Sequence, residues 1–133
     1  MYVETDFLIA LVKNEDWLRD SALEALQERD DIHTSILAYA EVLVLFYDRE
    51  QSEYDIDAPR AIANLLELVP ITPKEHEDAV LAAAAFLEEY HLTPFDALHA
   101  GVIATSGEEV LSSEQDYDTV GIDRTPLEPD RDQ

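Results

Sequence analysis

Short apolar runs at residues 2–5, 32–35, 68–71 and 110–112 alternate with longer stretches of helical periodicity, and that alternation leaves few folds open. Parallel strands need a crossover between them, so strands that return after each helix predict a parallel sheet. The expected fold is α/β: a short parallel sheet flanked by helices in a three-layer sandwich. A fifth strand is expected at residues 120–122. The run 6–12 is too apolar for a surface helix and is expected to be buried. Asn14 is expected to cap an amphipathic helix that carries Leu18, Ala22, Ala25 and Leu26 on one face and ends near Arg29. Further helices are expected at 36–47, 59–67 and 75–90, with an acidic loop at 48–57. Thr72 and Glu75 have the spacing of a capping box.

The last long helix begins at Thr93-Pro94-Phe95-Asp96-Ala97-Leu98-His99-Ala100 and stops near Ser106-Gly107. Thr93 suits the N-cap, Pro94 the first helical position, and Asp96 the third, from which a carboxylate reaches back to the capping residue's N–H. Capping alone explains Asp96. A metal-binding role requires other acids to converge on it.

Composition decides which acids carry information. The 133 residues fit one domain, assigned to 1–122 with an acidic polar tail at 123–133, and 47% hydrophobic content supplies a core. No apolar run reaches the roughly 18 residues of a membrane span, and the opening residues lack the basic character of a signal peptide. A soluble cytoplasmic protein without membrane contact is expected. The absence of cysteine excludes disulfides, thiolate zinc sites and cysteine nucleophiles. Against 31 acids stand 8 Lys and Arg, a formal charge of −23. Such a surface suits a very salty cytoplasm, where a Debye length of about 3 Å at 1 M screens the self-repulsion. Acids are therefore mostly background, and those at strand ends or on apolar faces are the informative ones.

Glu41 has Leu37, Ala38, Val44 and Leu45 as its helical neighbours, so it is expected to be partly desolvated and in need of a partner. Glu4 and Asp6 lie two apart at the end of the first strand, on one side if the strand persists through them. Glu114 and Asp116 repeat that spacing after the fourth strand. With Asp96, these acids occupy four strand–helix junctions, an arrangement that suits a hard cation with oxygen ligands. Other chemistries find no support. The histidines are scattered, Ser35 and Ser113 lack a nucleophile context, no glycine-rich phosphate loop occurs, and aromatic residues do not interleave with basic ones.

The order of these motifs resembles PIN-domain ribonucleases, particularly the small VapC-type toxins of toxin–antitoxin modules. The resemblance rests on Val3-Glu4-Thr5-Asp6-Phe7-Leu8-Ile9, on Thr34-Ser35 followed by Glu41, on Phe95-Asp96-Ala97-Leu98-His99-Ala100, and on Leu111-Ser112-Ser113-Glu114-Gln115-Asp116-Tyr117-Asp118. Glu4 and Glu114 stand where the family usually has Asp. The resemblance implies a PIN-like sandwich and RNA hydrolysis dependent on Mg²⁺ or Mn²⁺. Asp96, Glu41, Glu4 or Asp6, and Glu114 or Asp116 would be the metal-binding catalytic acids, supported by Thr5, Ser35, His99 and Ser113. It also implies a small antitoxin partner and a homodimer. The alternatives are a PIN nuclease of RNA processing and an inactive PIN fold that binds protein.

Overall fold

The computed structural model describes residues 1–13, 15–50, 57–90 and 92–129. The expected cap at Asn14, most of the acidic loop and the last four residues of the tail lie outside these. In chain order the elements are α1 (Thr5–Val12), α2 (Arg19–Glu28), α3 (Ile36–Glu50), α4 (Ala58–Leu68), α5 (Glu75–Tyr90), α6 (Pro94–Ser106), β1 (Val110–Ser112), α7 (Asp116–Thr119) and β2 (Arg124–Pro126). The molecule is mostly helical, with β1 and β2 paired in parallel as a two-stranded sheet.

The first three expected strands are reduced to single parallel bridges, Tyr2 with His33 and Thr34 with Ile71. The backbone around them is nevertheless laddered. Val3 N–H donates to His33 O at 2.9 Å, Thr34 N–H to Pro70 O at 3.0 Å, and Thr72 N–H to Thr34 O at 2.9 Å. Thr34, fully buried, adds a hydroxyl bond to Val3 O at 2.7 Å. Each segment is short because a helix claims the next residues: α1 starts at Thr5 and α3 at Ile36. The expected fifth strand at 120–122 is a turn, which Gly121 enters with φ 80° and which sends Ile122 into the core. The partner of β1 is Arg124–Pro126 instead, inside the segment expected to be a polar tail.

Helix α1 buries Leu8 and Ala10, and α3 buries Tyr39, Val42, Leu43 and Phe46. Asp57 caps α4 by accepting from Arg60 N–H at 3.1 Å. The expected capping box of Thr72 with Glu75 is replaced by Glu77, whose carboxylate accepts from Ile71 N–H at 3.1 Å. The packing that places the site is that of α5 on α6. Ala79, Ala83 and Ala84 of α5 and Ala97, Ala100 and Gly101 of α6 are all buried, and Gly101 lies against Ala79 and Ala83. A Cβ at Gly101 would collide with the Ala79 carbonyl oxygen and lie 3.0 Å from Ala83 N. Only glycine lets the two backbones approach so closely.

Candidate metal centre

Helix α6 begins as the sequence predicts, with Thr93 in extended backbone at the N-cap and Pro94 next, and it ends at Gly107 in the left-handed conformation. The capping chemistry differs. Thr93 makes no side-chain bond to the helix backbone. Its hydroxyl donates to Asp96 Oδ2 at 2.8 Å, so the pair restrain each other and Asp96 is aimed rather than spent on an amide. Buried Ala97, Leu98 and Ala100 anchor the turn behind the half-buried Asp96.

The second half of the site comes from the loop between β1 and α7. Glu114 N–H donates to Ser112 Oγ at 3.0 Å, and Asp116 N–H donates to Glu114 Oε1 at 3.1 Å. That tight turn folds the Glu-x-Asp pair onto one point. Asp96, Glu114 and Asp116 each present a carboxylate oxygen, and the three atoms lie within 4.8 Å of one another. Ion pairs among the described residues engage Asp31, Asp118 and Glu128, and none reaches these three acids. Three carboxylates gathered with no ion-pair partner among the described residues repel one another. Their all-oxygen donor set fits Mg²⁺ or Mn²⁺, which take a few carboxylates and complete their shell with water.

Tyr117 reports the field of the cluster. Its ring is buried, and its hydroxyl pKa is raised first by desolvation and then by the charges of Asp96 and Glu114. It therefore holds its proton beside the acids. Sequence pattern assigns Tyr117 no role in the site; the signal it does carry is that of a lone aromatic ring within the acidic Glu114–Asp118 stretch, a buried anchor.

The other expected site residues are not part of that three-acid group. Because α1 starts at Thr5, the strand does not continue through Glu4 and Asp6. Glu4 is the exposed N-cap of α1, and Asp6, in its first turn, lines a groove with Phe7, Leu18, Ser21, Ala22 and Ala25. The condition for the expected pairing, a strand that runs through both residues, is therefore not met. Glu41 is exposed rather than desolvated. Helix α3 buries the stripe through Tyr39, Val42, Leu43 and Phe46, whereas Leu37, one turn before Glu41, is 69% exposed. Among the described residues, no group of three acids within 4.8 Å includes Glu4, Asp6 or Glu41. Thr5 is half-buried in α1, and Ser35 bonds to the Tyr2 hydroxyl at 2.8 Å at the start of α3. His99 and Ser113 are exposed. The hydroxyl that supports Glu114 belongs to Ser112, not Ser113.

A family model, PIN domain, matches residues 1–123, and the chain belongs to that family. PIN domains are typically nucleases, a class of hydrolase, and an acidic cluster at a strand–helix junction is in keeping with that chemistry. No curated protein and no solved structure matches the chain. Among the described residues no helix is long and apolar enough to cross a membrane.

Proposed function

We propose that the chain is a metal-dependent endoribonuclease, the VapC-type toxin of a toxin–antitoxin pair, acting in the cytoplasm on RNA. The observation that carries this reading is the convergence of Asp96, Glu114 and Asp116 in a PIN domain, with no ion pair to them among the described residues. Asp96 and Glu114 would hold a Mg²⁺ or Mn²⁺ ion, joined by Asp116, with Glu4, Asp6 and Glu41 as further acids of the site. When bound, such an ion supplies the Lewis acidity that makes water nucleophilic near neutral pH and offsets charge developing on the phosphate. Thr93 keeps the Asp96 carboxylate directed inward, and the Ser112 hydroxyl fixes the turn that presents Glu114. Tyr117 packs its buried ring next to these acids, whose charges raise its hydroxyl pKa further.

The direct test is incubation of the protein with RNA and Mg²⁺ in molar salt. Cleavage should disappear with EDTA and fall by about 100-fold in Asp96→Asn, no less than the loss that follows when the support behind a metal ligand is removed. Cleavage that persists in EDTA would refute the metal mechanism. For the toxin role, the expected outcome is growth arrest on expression, relieved by a small antitoxin that binds the protein, itself a homodimer.

One observation favours a second reading. Glu4 and Glu41 stand outside the cluster, and Glu occupies positions 4 and 114, which suits a PIN fold retained for binding protein without catalysis. That reading expects no Mg²⁺-dependent cleavage and a partner bound equally well by Asp96→Asn.

A further inference from the structure

Among the described residues, one partly buried cationic side chain beside the Glu114–Asp116 loop is used by none of the chemistry above. Arg124, the first residue of β2, has a side chain only 9% exposed. Its Nη1 donates to the Ser112 carbonyl oxygen at 2.7 Å and to Glu128 Oε1 at 2.9 Å. Its Nε and Nη2 donate to the Asp118 carboxylate at 3.1 to 3.3 Å. Ser112 and Asp118 are the residues on either side of the segment that contains Glu114 and Asp116. One guanidinium therefore ties together both ends of the loop that supplies two of the three clustered acids.

We infer that Arg124 is a positioning residue for the acidic centre: it pins residues 112 and 118 so that Glu114 and Asp116 stay beside Asp96. The carboxylates repel, and an untethered loop would relax by swinging its two acids outward, away from the fixed helix α6. Strand pairing alone does not need the guanidinium, since Val110 N–H to Asp123 O at 2.9 Å and Leu127 N–H to Ser112 O at 3.2 Å already join β1 to β2. The planar fork is what the task requires, because a lysine ammonium is a single point charge that does not reproduce donation to the Ser112 carbonyl and the Asp118 carboxylate together.

This inference rests on the cation-binding reading, and Mn²⁺ binding by calorimetry tests it on the full chain, without RNA, at constant molar KCl. Arg124→Ala should bind Mn²⁺ about tenfold more weakly or worse, the usual consequence of removing support behind a ligand. Asp118→Ala and Glu128→Ala make a matched pair, each removing one carboxylate from the same guanidinium. Of the two carboxylates only Asp118 belongs to the loop, so Asp118→Ala should lose about tenfold in affinity and Glu128→Ala less than twofold. Thermal melts of each variant monitor folding, and if Arg124→Ala fails to fold the matched pair decides. Unchanged affinity in folded Arg124→Ala, or equal losses in the pair, overturns the clamp while leaving the metal centre standing. A wild-type protein that does not bind Mn²⁺ overturns both.

Discussion

Thr93 and Asp96 show how one hydroxyl decides whether a carboxylate serves a helix or a site. Thr93→Val removes the 2.8 Å bond at an exposed position, so the helix should persist while Asp96 loses its restraint. Mn²⁺ affinity and RNA cleavage are both expected to fall about tenfold, with the melting temperature almost unchanged. A large stability loss would show instead that Thr93 is a structural cap. Tyr39 lies at the other extreme, fully buried with its hydroxyl donating to Val69 O at 2.7 Å. Tyr39→Phe leaves that carbonyl unpaired and should cost about 1–2 kcal/mol, read from urea midpoints at neutral pH. Burial first, and then the charge of Glu77, raises the Tyr39 pKa. The unfolded chain therefore ionises before the folded one: stability is whole below about pH 10 and is lost as pH rises through the folded-state value. The alkaline decline should be shallower in Tyr39→Phe, and an identical decline would discount this tyrosine. Residue identities at the site were legible in part. Asp96, Glu114 and Asp116 stood out as acids at strand–helix junctions, but Tyr117 did not, because its importance comes from a three-dimensional neighbourhood. For Glu41 the apolar neighbours do not predict burial because they split between faces: Ala38 is buried, Val44 and Leu45 are half-buried, and Leu37 is 69% exposed.

Among the elements, helices were far more legible than strands. The periodicity of α3, α5 and α6 survives any packing because their apolar stripes span several turns, whereas the sheet consists of segments of two or three residues. A strand that short carries too little pattern to fix its end, which is why Glu4 and Asp6 were expected on one side of a strand rather than at the start of α1. Likewise, Val120 and Ile122 have the alternation of a strand, yet Gly121 turns the chain there and leaves pairing to Arg124–Pro126. The close contact of α5 with α6 was also hidden, since no periodicity announces that Gly101 will meet a carbonyl oxygen. Gly101→Ala should force the helices apart and cost about 1–3 kcal/mol, the range for overpacking a tight core. Because α6 carries Asp96, the same substitution should weaken Mn²⁺ binding in the protein that remains folded. Denaturant midpoints and a Mn²⁺ titration check this together. Wild-type values for both would mean that the helices slide apart at no cost.

For the whole molecule, the governing fact is a net charge of −23 on a domain whose proposed substrate is also an anion. Only 8 Lys and Arg stand against 31 acids, and among the described residues Arg29 is already tied to Asp31 and Arg124 to Asp118 and Glu128. Ordinary nucleic-acid binding weakens as salt rises, because Lys and Arg displace counterions from the phosphates. Here the sign should reverse over the range where long-range repulsion dominates. At 0.1 M the Debye length of about 10 Å lets the acidic surface act on an approaching strand; near 1 M it shrinks to about 3 Å, so that only groups in contact still interact. Raising KCl from 0.1 to 1 M at fixed Mg²⁺ should therefore raise the melting temperature and lower KM for RNA together, with kcat changing less. The two effects share a cause but have separate readouts, one from repulsion within the fold and one from repulsion between fold and substrate. A melting temperature that rises while KM climbs steeply would show that a basic contact surface, rather than the acid-lined centre, captures the RNA.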